Sequence, residues 1–529
     1  MRSLFALLLA ATAAFAGPQF LARVDLDASQ TVEELPILPV MDLDGYCLVR
    51  TDAAGLSRLS SAGFKTAALA EVLPAALYYY VTPGPGFDRS RLSGLGTVLT
   101  EDSQGLVLAT DESRLLDLNR LPVQLAGIPE VPITLGNPPA PATFPVAESL
   151  IQMLVDRVSA DSVKASIQRL QDFYTRYSTT ESLVAAVNWA RERLEAYGCD
   201  STALEHWRTD YAPNVIGVKL GRVNPRPIWV ICGHIDNTSD SAPRRCPGSD
   251  DNASGTTAVL EACRAFQGIE FEQSVYFVAF SGEEQGLWGS DSFCRRAARR
   301  GDSVKAALNF DMISYGRQNR DSLDVIGKTA NPACAWLVDS FIANARTYTT
   351  LKIRRRLLTN PQPNSDHASF LSRGWPAFCG IERDFTPAYH TLGDTIGPLY
   401  FQYCGTNNWL LATEATKAAV ATIARFAGAY LPTGTAEPGG LTPPALVKVS
   451  PSIGPAPVRL ALAGPPPAGT RLEVYSPDGR MLVSVPAVGR MLEWDGNDMS
   501  GHQAPAGIYL FRLIGPGFAQ TGRAVLTGR

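Results

Sequence analysis

Apolar and polar positions follow three successive rhythms along the chain. Between Gly17 and about Pro145, short apolar runs are followed by leucines at helical spacing. Cys47-Leu48-Val49-Arg50-Thr51-Asp52 with Leu56 and Leu59 is echoed by Leu106-Val107-Leu108-Ala109-Thr110-Asp111 with Leu115 and Leu118, and Glu71 and Glu130 keep the same offset. Each copy reads as a strand, an Asp placed to cap the next helix, and a helix with one apolar face. This predicts an N-terminal α+β domain over 17–145 with two similar halves, closed by the Pro-rich linker Pro138 to Pro145. The segment holds no histidine and no cluster suited to catalysis. It reads as a folding aid, a removable pro-segment or a lid.

From about Val146 the rhythm changes to helical stretches alternating with runs that are apolar at nearly every position, such as Ile228 to Cys232 and Val275 to Phe280. Strands buried on both faces read this way, so 146–435 is predicted to be α/β, a mixed, largely parallel sheet sandwiched by helices. Leu183 to Tyr197 reads as a helix that stops at Gly198. Beyond the Pro/Gly/Thr-rich stretch Pro432 to Pro444 the helices end. Arg471 to Tyr475 and Ile508 to Leu513 alternate with turn signals such as Pro477-Asp478-Gly479, predicting a C-terminal β-sandwich over 436–529. Three folded units suit 529 residues.

The N-terminus adds a location. Arg2, the apolar Leu4 to Ala13 and the small-x-small Ala14-Phe15-Ala16 read as an export signal over 1–16, so the protein is expected to be secreted. No later run offers the ~18 uninterrupted apolar residues that a spanning helix needs, so no transmembrane segment is expected. A net charge of −4, from 47 basic and 51 acidic residues, leaves no basic surplus for a phosphate backbone, and nucleic acid is excluded as a partner. Nine cysteines in an oxidising compartment leave at least one unpaired.

Five histidines occur in the chain, and two of them sit beside carboxylates. Gly233-His234-Ile235-Asp236 follows the run ending at Cys232, so His234 is expected at the carboxyl end of a buried strand, where open α/β sheets place their sites. Asp236 could accept the ring N–H that a metal leaves free and so fix the tautomer, although a structural histidine reads the same way. Asp250-Asp251-Asn252 opens the predicted helix Thr256 to Phe266, which N-capping alone would explain. Ser281-Gly282-Glu283-Glu284-Gln285-Gly286 puts two adjacent carboxylates at the end of a second buried strand. A zinc ion bound by one, with the other facing its water, relieves their repulsion; a solvated acidic loop is the alternative. Asp311 follows a third apolar run, and His390 comes from a distant loop. Two imidazoles and three carboxylates, His234, Asp251, Glu284, Asp311 and His390, suit Zn2+ and require no thiolate.

The order and spacing of His234-x-Asp236, Pro247-Gly248-Ser249-Asp250-Asp251-Asn252-Ala253-Ser254-Gly255, Glu283-Glu284, Asp311 and His390-Thr391 resemble the co-catalytic di-zinc aminopeptidases of metallopeptidase family 28, over roughly residues 150–430. The resemblance implies the zinc aminopeptidase, phosphorylase/hydrolase-like fold and two Zn2+ ions per chain. In that scheme Asp251 bridges the metals, His234 and Asp311 complete one, and Glu284 and His390 complete the other. Glu283, unligated, is the base that takes a proton from the attacking water and delivers it to the leaving amine, with Asp236 behind His234. The implied activity is that of an exopeptidase on the N-termini of peptides. Some members carry Cys-Gly-Tyr-Ala-Cys before the match to Ser365-Asp366-His367. This chain has Asn360-Pro361-Gln362-Pro363-Asn364, so that tyrosine and disulfide are missing, and His367 is expected to support the pocket by hydrogen bonds rather than bind zinc.

Leu472 to Gly479, Trp494-Asp495-Gly496-Asn497-Asp498, Gly501 and Pro505-Ala506-Gly507-Ile508-Tyr509 resemble the Ig-like domain of flagellar hook-capping proteins, which implies attachment to a cell surface or contact with secretion machinery. Arg295-Arg296 with Arg299-Arg300 reads as a solvated helix face. Arg354-Arg355-Arg356 could instead reach a substrate carboxylate, which would favour a carboxypeptidase or dipeptidase on the same scaffold. Glutaminyl cyclisation, performed by relatives with one zinc, is disfavoured because His234 and Asp311 are both present. A non-catalytic peptidase-like binding protein is disfavoured because all six residues are retained.

Overall fold

The computed structural model describes residues 18–527 apart from 28, 29, 44, 131, 133–143, 317–321, 330, 359–364, 397–405, 408, 433–445, 451, 452, 463–465, 467–469, 478, 516 and 517. The export signal, residues 138–143 of the first linker, most of the second, and the Asn360 to Asn364 segment lie outside the described residues.

An eight-stranded sheet organises the middle of the chain: β1 Ser201–Glu205, β2 Asn214–Lys219, β3 Asn224–His234, β4 Gln273–Phe280, β5 Ser303–Phe310, β6 Leu323–Lys328, β7 Ile353–Leu358 and β8 Ala377–Glu382. Across the sheet they run β7-β6-β8-β5-β3-β4-β2-β1. The central β4, β3, β5 and β8 are mutually parallel, and so are β6 and β7, whereas β2 joins β4, β1 joins β2 and β6 joins β8 in antiparallel fashion. The sheet is mixed α/β, as the apolar runs predict. Residues 227–234 of β3 are all buried, which requires cover on both faces.

Alternate side chains of β3 meet different partners. Trp229 and Ile231 join a core with α4 (Ala253–Ala265), α6 (Pro332–Tyr348) and α8 (Trp409–Ala427). Val230 and Cys232 point the other way, to Phe293 of α5 (Trp288–Arg300), Phe370 of α7 (His367–Leu371), and Tyr475 and Leu510 from the C-terminal strands. Helices α1 (Glu148–Asp156), α2 (Ala160–Gln171) and α3 (Glu181–Ala196) complete the first face, and α3 ends at Gly198, whose φ of +81° favours glycine. Each large side chain fully buried in these layers contributes about 1.5–3 kcal/mol.

N-terminal to this sheet lie two four-stranded antiparallel sheets. In the first, strand Tyr46–Thr51 leads into helix Ala53–Ser61, which Asp52 caps by accepting from the Gly55 N–H at 2.8 Å. In the second, strand Leu106–Thr110 leads through Asp111, which accepts from the Ser113 N–H, to helix Leu115–Asn119. At the other end of the chain a three-stranded and a five-stranded sheet share one core that includes Leu460, Val474, Trp494 and Phe511. Among the described residues no helix is long and apolar enough to cross a membrane. No disulfide joins the described cysteines, although the sulfurs of Cys199 and Cys263 lie 3.4 Å apart.

Candidate metal centre

Parallel registry brings three chain segments to one edge of the sheet. His234, the last residue of β3, pairs with Phe280 at the end of β4, and Cys232 pairs with Asn309, two residues before Asp311. Glu283 and Glu284 therefore leave β4 beside His234, with Asp311 on its other side. The sharp turn at Gly282, φ +75°, separates the glutamates from their strand.

The predicted helix at Thr256 begins three residues earlier, at Ala253, because the Asn252 side chain accepts from the Gly255 N–H at 2.7 Å. Asn252 is the cap, so neither aspartate is consumed by capping. Asp250 instead accepts from the Ser314 N–H and hydroxyl, while Asp251 turns into the cluster. Gly255 allows this helix start to press on β5, since a Cβ there would lie 2.0 Å from the Phe310 carbonyl oxygen.

The two imidazoles face the two oxygens of Asp251. His234 Nε2 is 3.3 Å from Asp251 Oδ1 and 3.3 Å from Asp311 Oδ1. His390 Nε2 is 3.2 Å from Asp251 Oδ2 and 3.1 Å from Glu284 Oε2. Glu283 stands further back, its Oε2 4.0 Å from His234 Nε2. All six side chains are buried. Glu284 Oε1 has no hydrogen-bond partner, a costly state for a buried polar atom unless a cation fills the space it faces. Ligand atoms of His234, Asp251 and Asp311, of Asp251, Glu284 and His390, and of His234, Glu283 and Glu284 lie within 4.8 Å of one another in each set, spacing that suits a metal ion.

The protonation pattern of the metal-free cluster follows from its crowding. Burial, reinforced by Glu284 and Asp311, pushes the Glu283 carboxyl well above the ordinary range against the pull of His234. Burial and Asp251 raise Glu284 to about 7. Burial opposes a charge on His390, but Glu284 and Asp251 override it and lift its pKa to about 10. Burial likewise opposes a charge on Asp251, yet the two imidazoles hold its pKa below the usual value.

The surrounding backbone is strained where it meets the ligands. Met312, next to Asp311, has φ +53°, His390 has φ +54°, and Leu287 after the glutamates has φ +64°. The Tyr389 ring stacks on His390 with centroids 3.7 Å apart.

Residues 214–412 match the family described as Peptidase family M28. The chain is a metallopeptidase. Among curated relatives it is similar to a probable leucine aminopeptidase of Arthroderma otae, 25% identical over 336 residues that span 60% of this chain and 88% of that one. Leucine aminopeptidase 1 of Coccidioides posadasii is 29% identical over 274 residues, 47% of this chain and 69% of its own. Among solved structures the fold is shared with the LapA aminopeptidase of Legionella pneumophila, at 18% identity and a TM-score of 0.50 over 67% of this chain and 99% of that one. LapB of the same organism matches at 20% identity and a TM-score of 0.51 over 65% of this chain and 98% of that one.

One expectation for this peptidase needs correction. The acceptor for His234 Nδ1 is the main-chain carbonyl of Asp236 at 3.0 Å, not its carboxylate, whose nearer oxygen is 3.7 Å away. The Asp236 carboxylate accepts instead from Ser178 Oγ at 2.8 Å and from the N–H groups of Glu283 and Glu284 at 3.2 Å, so it orients the glutamate loop. In the arginine run on β7, Arg354 and Arg356 pair with Asp324, and Arg355 pairs with Asp339 at 2.6 Å. On α5, Arg295 pairs with Asp291 at i,i+4 and Arg296 with Glu205. His367, fully buried at the start of α7, is in none of the ligand sets.

Sequence reasoning missed two supports. Arg176, fully buried, donates to the carbonyls of Ile235, Leu170, Pro247 and Gly248 at 2.7–3.0 Å, tying the His234 loop to the Asp251 loop. Burial draws its pKa down to about 10 against the pull of nearby acids. A single arginine between polar residues gives no signal in sequence. Asp394 accepts from the N–H groups of Asp250 and Asp251 at 2.9 and 3.0 Å, and its place four residues after His390 was the available clue. A cavity of about 400 Å3, lined by Tyr78, Trp207, Leu287 and Trp288 among others, opens between the N-terminal sheets and the peptidase sheet, but none of the six cluster residues lines it.

Proposed function

We propose that the protein is an exported zinc aminopeptidase that binds two zinc ions per chain and removes N-terminal residues from peptides. The observation that carries this reading is Asp251, which offers one oxygen to each imidazole and so divides the cluster into two ligand sets, His234 with Asp311 and Glu284 with His390. Charge supports the count. Four carboxylates, Asp251, Glu283, Glu284 and Asp311, converge on two neutral-capable imidazoles in a dry site, and two divalent ions would balance them.

When bound, zinc supplies Lewis acidity towards the scissile carbonyl and lowers the pKa of the attacking water. Glu283, set back from the imidazoles, takes the proton of that water and returns it to the leaving amine. Asp236 keeps Glu283 in position through its main-chain N–H. The leucine aminopeptidase relatives support action at a free N-terminus, and Arg354, Arg355 and Arg356 have aspartate partners within the chain. The export signal over 1–16 and a C-terminal Ig-like β-sandwich acting as an attachment module belong to the same reading.

The test is hydrolysis of matched peptides with free, N-acetylated and C-amidated termini. Cleavage of the free and C-amidated peptides with loss of activity on the acetylated one is expected. Equal cleavage of the acetylated peptide would overturn the aminopeptidase assignment.

A further inference from the structure

Two residues of the N-terminal unit, Asn119 and Leu121, reach the metal centre, and Arg120 between them holds the neighbouring loop at Ala242. The carbonyl of Leu121 accepts from His390 Nδ1–H at 3.2 Å, on the ring edge opposite the one that faces Asp251 and Glu284. The buried Asn119 side chain donates to the main-chain carbonyl of Glu284 and accepts from the Tyr177 hydroxyl at 3.1 Å. The Asn119 main-chain carbonyl accepts from Thr238 Oγ1 at 2.6 Å, two residues beyond Asp236, and Arg120 Nε donates to the carbonyl of Ala242 at 2.8 Å.

We infer that Asn119 and Leu121 are positioning residues of the metal centre, so that the N-terminal unit is a working part of the mature enzyme rather than a segment to be removed. An imidazole binds a metal through Nε2 only when its proton sits on Nδ1, and an acceptor on that side fixes both tautomer and ring plane. His234 obtains its acceptor two residues away. His390 obtains its acceptor from Leu121, on a loop where its own backbone is held at φ +54°. Asn119 holds the main chain of Glu284, the second residue of the same ligand set. One segment therefore braces the two groups that belong to one metal site alone, Glu284 and His390, and leaves the His234 imidazole of the other untouched.

The inference rests on the reading of His390 and Glu284 as metal ligands, and the test reads metal binding and ring state apart from activity. Zinc affinity of the apo full-length chain is titrated against a chromophoric chelator for the parent, Asn119→Ala, Tyr177→Phe and Arg89→Ala. Histidine-selective 15N labelling, practical with five histidines, reports the ring tautomers. Asn119→Ala is expected to weaken one of two zinc sites by about 10- to 100-fold and broaden or shift one histidine signal. Tyr177→Phe, which removes one hydroxyl, should move the same site in the same direction by less, and it keeps the test open if Asn119→Ala does not fold. Arg89→Ala, in a surface pair with Glu101, should change neither readout. Unchanged affinities and tautomers in folded Asn119→Ala and Tyr177→Phe would overturn the inference. So would increased activity at unchanged affinity, which would mark the segment as a plug. Absence of zinc binding in the parent would instead sink the metal reading itself.

Discussion

The two imidazoles of the cluster reach the same kind of position by different routes. His234 ends a central strand, and its free ring nitrogen is held by the carbonyl of Asp236. Its ring acceptor is two residues away in the chain, and its own carbonyl accepts from Thr256 on the helix behind the sheet. His390 sits on an irregular loop, and the acceptor for its ring is 269 residues away in the chain. A site can thus be half preorganised by a sheet and half assembled by docking, and the two halves should respond differently to perturbation.

The largest effect should fall on chemistry common to both halves. Glu283→Gln is expected to lower kcat by about 10^2- to 10^4-fold in steady-state assays while zinc content stays at the parent value. Loss of zinc in that variant would mean that Glu283 is a ligand, and the division between the halves would have to be redrawn. Next is Arg176→Met, which leaves four buried carbonyls without their donor. It should cost about 3 kcal/mol in denaturant unfolding and weaken the His234 site more than the His390 site. Equal weakening would contradict the independence of the two.

An intermediate effect concerns the metal-free protein. Glu284, raised to about 7, and Asp394, raised to about 8 by burial and Asp250, keep protons that the unfolded chain releases near the ordinary carboxyl values. His390, raised to about 10, keeps a proton that the unfolded chain releases near 6.5. In each case the folded state binds more protons through the window, so stability falls as pH rises. Asp251, shifted down, acts in the opposite sense only below about pH 4. The apo protein should therefore melt at progressively lower temperature from about pH 5 to pH 9, and zinc should remove most of that slope. A flat apo profile would contradict the shared-proton picture. The smallest effect is expected from Arg355→Ala, whose exposed pair with Asp339 should contribute under about 1 kcal/mol and leave activity on free N-termini unchanged.

The sheet and the side chains gathered at its edge were legible because burial on both faces leaves a run apolar at every position, as in Ile228 to Cys232, and polar residues must then emerge beyond the strand end. His234, Glu283, Glu284 and Asp311 all follow that rule. Asp251 was harder, since Asn252 beside it performs the capping that the aspartates could have explained. The switch at Asp236 from carboxylate to carbonyl depends on a turn geometry that residue types do not encode. Arg176 and the Asn119 to Leu121 contacts stayed hidden for a different reason. They act through backbone carbonyls brought together by docking, and a carbonyl has no residue-type signature.

The central claim is a pair of metal sites sharing Asp251. Anomalous diffraction from crystals of the zinc-loaded protein, recorded on both sides of the zinc absorption edge, tests it most directly. Two peaks are expected, one beside His234 and Asp311 and one beside Glu284 and His390, with Asp251 adjacent to both. A single peak, or peaks away from Asp251, would contradict it.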